Sequence, residues 1–383
     1  MLKKVLILSA SSGAGHMRAA QAVEKAFLEL KAADDIRNID ILEYTSPLFH
    51  KLYSKAYIDV VNNTPEIFGW LYEHYDKPWK NEHRRLAFDK LNTRPFTKML
   101  KEYQPDIAVC THFLPAEIIS WLKGKNRTDT RQAIVVTDFD LHAFWLCHYF
   151  EHYFVAIDET RAHLVALGIP SNKITVSGIP IDPVFSKPQD KKYLRKLYKL
   201  EEDIPTILVS AGGFGVGPVE KIIQSLLKMK NKAQIIVICG RNEELKNKVD
   251  QLVKKTSTGQ TVRFQSVGYT DQMDAFMSVS DLILGKTGGL TTSEALAKGL
   301  AFIIVDPIPG QEQRNADHLL EEGVAIKCNN WPILAYKVDN LLNNSEKLIA
   351  MQNKARQLSR PQAAFKIVET LISVFYQGHL QNS

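Results

Sequence analysis

A chain of 383 residues is long enough for two domains of ordinary size. Its 45% hydrophobic and 23% charged residues exclude a disordered or fibrous class. The net charge of +6 is mildly basic, and the four cysteines (Cys110, Cys147, Cys239, Cys328) form no CxxC pair, which argues for a reducing compartment and against structural zinc.

The chain begins MLKKVLILSA, an apolar run too short for a signal peptide and followed by no small-residue cleavage site. No apolar run approaches the ~20 residues that span a bilayer. The expected location is therefore the cytoplasm, or a membrane bound peripherally from its cytoplasmic face. Val5 to Leu8 reads as a strand buried in a parallel sheet, and Met17 to Leu30 as a helix with Ala19, Ala20, Val23, Ala26, Phe27 and Leu30 on its apolar side. Between them, Gly13 and Gly15 precede His16. This is no dinucleotide fingerprint, because only Gly13-x-Gly15 is present. A histidine at a helix start, beside a positive dipole end, is expected to be neutral and able to act as a base. The plainer alternative is a histidine bonded to neighbouring backbone.

Ile39 to Leu42 is the next expected strand. Leu48, Phe49, Leu52, Tyr53, Ala56, Tyr57, Val60 and Val61 then recur at helical spacing. Phe68, Trp70, Leu71, Tyr72, Tyr75 and Trp79 follow. Lys77, Lys80, Arg84, Arg85, Lys90, Arg94, Lys98 and Lys101 are opposed between Lys77 and Lys101 only by Glu82 and Asp89. Aromatic residues among cations suit an anionic membrane surface, with Trp70, Trp79, Arg84 and Arg85 the candidate contacts. No nucleic-acid motif accompanies them, so nucleic acid is not an expected partner. A core helix pair with a solvated basic face is the alternative.

Asp106 to Cys110, Ala133 to Thr137, Tyr153 to Ile157 and Ile174 to Val176 complete the strands of the first half. Ligands of open parallel sheets lie at the carboxyl ends of strands, which here carry Thr111-His112 and Asp138-Phe139-Asp140. Asp138-x-Asp140 has the form of a metal-binding pair. It is set aside because the nucleotide signals fall in the second half, and no active-site metal or bound cofactor is expected. A basic, weakly ordered connector over Lys187 to Leu200 divides a first domain (1–186) from a second (201–355). A final helix (356–383) is expected to cross back toward the first domain.

Thr206 to Ser210 restarts the strand rhythm and leads into Gly212, Gly213, Gly215 and Gly217, before a helix over Val219 to Met229. Backbone N–H groups there can approach a diphosphate, although no GK[ST] follows. Strands are expected at Ile235 to Cys239 and Val262 to Gln265, with helices at Glu243 to Lys254 and Met273 to Val279. Gly268 sits in a loop able to flank a base. From Leu282 the chain reads strand, glycine turn, helix and strand, the last at Ala301 to Val305. Thr287, Gly288, Gly289, Leu290 and Thr291 form the turn and helix start, and Glu294 lies where a carboxylate can accept two vicinal hydroxyls. A polar loop, Gly310 to Asn315, places Gln311 and Glu312 together. A ribose at Glu294 and a sugar at Gln311 and Glu312 is one reading, and a capped helix with a solvated loop is the other. The tail, Pro332 to Asn343 and Ser345 to Phe375, is expected to be helical.

Six stretches together resemble the monogalactosyldiacylglycerol synthase and processive diacylglycerol glucosyltransferase family, itself similar to the peptidoglycan lipid-linked N-acetylglucosaminyltransferase. They are SSGAGHMRAA (Ser11 to Ala20), VVTDFDLHAFW (Val135 to Trp145), SGIPIDPVF (Ser177 to Phe185), SAGGFGVGP (Ser210 to Pro218), GKTGGLTTSEALAKG (Gly285 to Gly299) and PGQEQRNA (Pro309 to Ala316). The resemblance implies an α/β chain of the GT-B type, with two Rossmann-like domains facing across a cleft. It implies inverting transfer of a hexose from UDP-glucose or UDP-galactose to diacylglycerol at a membrane carrying anionic lipids. His16 would then be the base or its orienting group, with Asp138 assisting, and Trp145 near the lipid. Gly212, Gly213 and Gly215 would cradle the diphosphate, Glu294 hold the ribose, and Gln311 and Glu312 the sugar. The family's His-Pro pairs read His112-Phe113 and His142-Ala143 here, a departure on the acceptor side. Another lipid or polyprenyl acceptor, a sugar-nucleotide epimerase and a non-catalytic UDP-sugar sensor are the competing expectations.

Overall fold

The computed structural model describes residues 2–11, 13–45, 64–80, 94–210, 218–256 and 261–380. The chain divides into two units, Met1–Pro183 with Arg360–Ser383, and Val184–Ser359. The first unit runs β1 (Leu2–Ser9), α1 (Ala14–Glu29), β2 (Ala33–Asp40), α2 (Pro65–Tyr75), α3 (Arg94–Tyr103), β3 (Ile107–Cys110), α4 (Phe113–Gly124), β4 (Arg131–Val135), β5 (His152–Val155), α5 (Asp158–Ala166) and β6 (Ile174–Val176). The second runs α6 (Lys191–Leu197), β7 (Thr206–Ser210), α7 (Val219–Leu226), β8 (Ala233–Ile238), α8 (Glu243–Thr256), β9 (Val262–Val267), α9 (Met273–Val279), β10 (Leu282–Gly285), α10 (Gly289–Ala297), β11 (Ala301–Val305), α11 (Gln311–Glu321), β12 (Ala325–Cys328), α12 (Leu334–Leu342) and α13 (Ser345–Leu358). The chain ends in α14 (Ala363–Leu380), which belongs to the first unit.

Each unit holds one six-stranded, wholly parallel sheet. The strand orders are β2-β1-β3-β4-β5-β6 and β12-β11-β10-β7-β8-β9. Each order reverses once, between β1 and β3 and between β10 and β7. Loops at such a reversal diverge and leave room for a ligand at the strands' carboxyl ends. Both faces of the first sheet are buried. Leu6, Leu8, Ala108, Ile134 and Val155 face one way with Phe96, Leu100, Ile118 and Leu122 of α3 and α4. Val5, Ile7, Val109, Val135 and Phe154 face the other, beneath Val23 and Phe27 of α1 and Ile367, Val368 and Leu371 of α14.

Several element boundaries differ from the sequence expectation. The second strand is Ala33–Asp40, and Ile41–Tyr44 is a 3-10 turn capped by the Asp40 carboxylate, which accepts from the Leu42 N–H at 3.0 Å. Polar residues in β2 hide a half-exposed edge strand whose partner, β1, lies on one side only. The stretch 187–200, expected as a connector, instead contains α6. Asp190 caps this helix, and Arg195 and Lys191 pair with Asp281 at 2.8 and 2.7 Å. Long-range ion pairs order what its composition marks as loop. Of the polar loop expected over Gly310 to Asn315 only Gly310 lies outside a helix, because Gln311–Glu321 is α11, and β12 completes the sheet beyond it. The helix expected over Leu48 to Val61 lies outside the described residues.

Leu371 is fully buried between α1 and the sheet. We expect Leu371→Ala to lower unfolding free energy by about 2–5 kcal/mol, the range for truncating a buried leucine. Urea titration followed by circular dichroism measures it, and Thr370→Ala on the exposed side should shift the midpoint far less.

Candidate active site

The carboxyl ends of β1, β3 and β4 converge on His16. It is the third residue of α1, and the residue as a whole is partly exposed. Its Nδ1 lies 3.0 Å from the Thr111 carbonyl and 2.9 Å from Thr137 Oγ1. A carbonyl only accepts, so the neutral ring must carry its proton on Nδ1, with the Thr137 hydroxyl sharing it. Nε2 then holds the lone pair. Burial lowers the His16 pKa from 6.5, and the nearby Asp138 carboxylate and the Thr111 carbonyl pull it back up in part. Desolvation is the largest cause, and the ring sits in the first turn of α1, the helix start expected from sequence. A Cβ at Gly13 would sit 3.9 Å from the ring's Cδ2, so the glycine leaves the ring's flank open, while Gly15 lies in the first turn of α1.

His112 and Trp145 complete this cluster. The His112 ring meets His16 edge-on with centroids 4.6 Å apart, and the buried Trp145 ring lies 6.4 Å away. His112 Nδ1 accepts from the Leu114 N–H at 3.0 Å, so its proton is on Nε2. Burial, and then the proximity of His16, hold its pKa well below 6.5. Thr111, His112 and Thr137 stand at the ends of β3 and β4. Their roles escape sequence reading because the bonds to His16 span 95 and 121 residues. The location of Thr137 one residue before Asp138 was the available signal.

In the second unit, the turns after β10 and β11 are stitched together. Thr287 Oγ1 donates to the Glu312 carbonyl at 2.7 Å, and Asn315 Nδ2 donates to the Thr287 carbonyl at 3.0 Å. The Glu312 carboxylate accepts from the Ile308 N–H at 2.9 Å, and its other oxygen lies 3.4 Å from where a Cβ on Gly288 would be. At Gly285 a Cβ would come within 2.9 Å of the Ser210 carbonyl, so only glycine lets β10 pair closely with β7 there. Gly289 starts α10, whose first turn carries no side-chain cap. Leu290 is buried, Thr291 and Gln311 are partly exposed, and Glu294 is 1% exposed. The structure thus joins Thr287, Gly288, Glu312 and Asn315. Gly268 follows the edge strand β9, which lies two strands from β7 and three from β10. Gly212, Gly213 and Gly215 lie outside the described residues.

On the acceptor side, Trp70 is exposed on α2 and stacks on His74 at 5.1 Å. Trp79 is 38% exposed and stacks on His148 at 4.7 Å. Arg84 and Arg85 lie outside the described residues. Among the described residues no helix is long and apolar enough to cross a membrane.

Residues 16–181 match the family model of monogalactosyldiacylglycerol synthase, and residues 206–367 that of the glycosyltransferase family 28 C-terminal domain. A processive diacylglycerol β-glucosyltransferase of Staphylococcus saprophyticus is 31% identical, covering 97% of this chain and 93% of the relative. This chain belongs to the processive diacylglycerol β-glucosyltransferase family. The homologue from Staphylococcus epidermidis is 30% identical over 98% of the chain and 94% of its own length. Among solved structures, MurG of Acinetobacter baumannii aligns with a TM-score of 0.62 at 17% identity, covering 97% of this chain and 99% of that one. The UDP-GlcNAc 2-epimerase of Neisseria meningitidis aligns at 0.61 with 15% identity, covering 97% and 100%. At these identities the likeness is one of fold, and it agrees with two Rossmann-like units of the GT-B type.

The environment of His16 sets the sign of a titration. Its folded pKa lies below 6.5, so the neutral ring persists into mildly acidic solution. We expect NMR titration of the ring to give a midpoint below 6.5. Asp138→Asn should move it lower still, because the carboxylate raises it.

Proposed function

We propose that this protein transfers glucose from UDP-glucose to the free hydroxyl of diacylglycerol, with inversion at the anomeric carbon. The observation that carries the reading is His16, whose Nδ1–H is held by the Thr111 carbonyl so that the basic Nε2 can take a proton. The full-length kinship with diacylglycerol glucosyltransferases favours glucose over galactose and diacylglycerol over other acceptors. In the reaction the acceptor oxygen attacks the sugar's C1 on the face opposite UDP, and its proton passes to Nε2. The bond from C1 to the diphosphate oxygen breaks, and UDP leaves with the electron pair. A lipid hydroxyl is weakly nucleophilic, so the base matters to the rate.

Charge that develops on the diphosphate is met, in this reading, by backbone N–H groups at the uncapped start of α10, by the helix dipole and by the glycine segment from Gly212 to Gly215. No metal is invoked. Glu294 and Glu312 receive ribose and sugar hydroxyls. The acceptor arrives from the cytoplasmic leaflet. Ile67, Trp70, Tyr75 and Trp79 are exposed, and Lys77 and Lys80 are exposed beside them, as suits a surface of anionic lipid.

Mass spectrometry of lipids, after incubation of the protein with diacylglycerol liposomes and UDP-glucose, UDP-galactose or UDP-N-acetylglucosamine in separate tubes, tests the reaction. We expect a hexose adduct from UDP-glucose, and donor binding without any UDP release would instead mark a sensor. His16→Ala should abolish transfer and leave UDP affinity within about twofold, whereas Glu294→Ala should weaken UDP binding by about tenfold in calorimetry, the equivalent of ~1.4 kcal/mol from one hydrogen-bonded charge. Binding to anionic vesicles should fall as salt rises, and equal binding to neutral vesicles would count against the charged contacts.

A further inference from the structure

Helix α2 has two different sides. Its outward side carries Ile67 and Trp70, 53% and 62% exposed. Its inward side carries Phe68, Gly69 and Tyr72, spaced so that they share one face. This inward side is tied to the turn at 142–145. His142 is buried, and its Nε2 lies 2.8 Å from the Tyr72 carbonyl, while its Nδ1 accepts from the Phe144 N–H at 3.1 Å. The two bonds fix the neutral ring with its proton on Nε2, donating to α2. Asp76, just past the helix, accepts from the Ala143 N–H at 2.8 Å.

From this junction a continuous row of rings leads to the candidate base. Tyr72 contacts His142 with centroids 4.0 Å apart, His142 contacts Phe144 at 4.2 Å, and Phe144 contacts Phe113 at 5.0 Å. Phe113 then contacts His112 at 4.2 Å, and His112 meets His16 at 4.6 Å. Trp145, in the same turn as His142, reaches His16 from a second side, and its carbonyl is held by the Tyr153 hydroxyl at 2.8 Å. Rigid rings in contact cannot shift one at a time without opening voids, so a displacement at one end is passed along.

We propose that His142 is a positioning residue that locks α2 to the row of rings ending at His16, so that lipid contact on the outer side of α2 sets the position of the base. The proposal rests on the glucosyltransferase reading and on α2 touching the bilayer. His142 does not reach the substrate: it acts through Phe144, Phe113 and His112. The histidine is suited to this because one ring both caps its own turn and donates to a separate element.

Two substitutions separate those tasks. His142→Asn retains an acceptor for the Phe144 N–H but is too short to reach the Tyr72 carbonyl. His142→Gln can reach Tyr72 but gives up the turn. With saturating vesicles of diacylglycerol and phosphatidylglycerol, we expect His142→Asn to lower kcat by about tenfold, within the roughly hundredfold open to a misplaced reacting group. The KM for UDP-glucose and vesicle binding should stay within twofold, and His142→Gln should recover most of kcat. The His16 ring resonances should move in the Asn variant and return in the Gln variant. Ile67→Ser with Trp70→Ser should weaken vesicle binding in both backgrounds, yet lower the kcat of vesicle-bound enzyme only when His142 is present.

Equal losses in the Asn and Gln variants, unmoved His16 resonances, or additive effects of the outer-side and His142 substitutions would each overturn the proposal. Unchanged vesicle binding after the outer-side substitutions would overturn its membrane half. Failure of the unsubstituted protein to transfer sugar would defeat the functional reading instead, and the His16 resonances would still test the link to α2.

Discussion

A parallel sheet cannot leave a face in water, and that constraint organises both units. Every strand must be followed by a crossover that returns the chain to the same end, and most crossovers here carry helices, while the one from β4 to β5 carries only the short turn at Ala143–Trp145. All the turns that leave the strands' carboxyl ends therefore gather on one rim of each sheet. His16, Thr111 and Thr137 meet on the first rim because β1, β3 and β4 are neighbours in space. Thr287 and Glu312 meet on the second because β10 and β11 are neighbours. The same constraint explains α14. The first sheet needs a cover beside α1, and the chain's last helix supplies Ile367, Val368 and Leu371.

On these rims, backbone carbonyls decide the chemistry of the histidines. His16, His112 and His142 each have at least one nitrogen committed to backbone, and each commitment fixes where the proton sits. At His16 the Thr111 carbonyl takes the Nδ1 proton and leaves Nε2 basic. At His112 and His142 the polarity is reversed, since a backbone N–H two residues on donates to Nδ1 and turns Nε2 into a donor. Like side chains thus become one base and two donors, and burial keeps His16 and His112 neutral. A phenylalanine follows His112 and an alanine follows His142, and Phe113 lies in the row of rings between Phe144 and His112.

Legibility in the sequence followed the range of the interactions. The buried strands β7 and β11 and the helix α9 were readable to the residue, because continuous apolar runs and local periodicity specify them. The half-exposed edge strand β2 and the short β12 were not, since edge strands lack that pattern. The helix α11 was hidden by its amides and charges, which suit a solvated face as well as a loop. The connector that became α6 owes its order to Asp281, about ninety residues away along the chain. His16, Asp138 and Glu312 were named because glycines or short motifs marked their surroundings. Thr111, Thr137 and Asn315 act through contacts that no local pattern announces.

The sequence by itself determined two Rossmann-like units, the family, and which strand ends hold reactive side chains, because burial periodicity and glycine turns are local properties of the chain. Only the tertiary structure decided which nitrogen of His16 is basic, that burial lowers its pKa, and that α2 is joined to it through His142. These outcomes depend on where carbonyls, amides and rings from distant segments come to rest, and a proton's position on an imidazole is set by its neighbours in space.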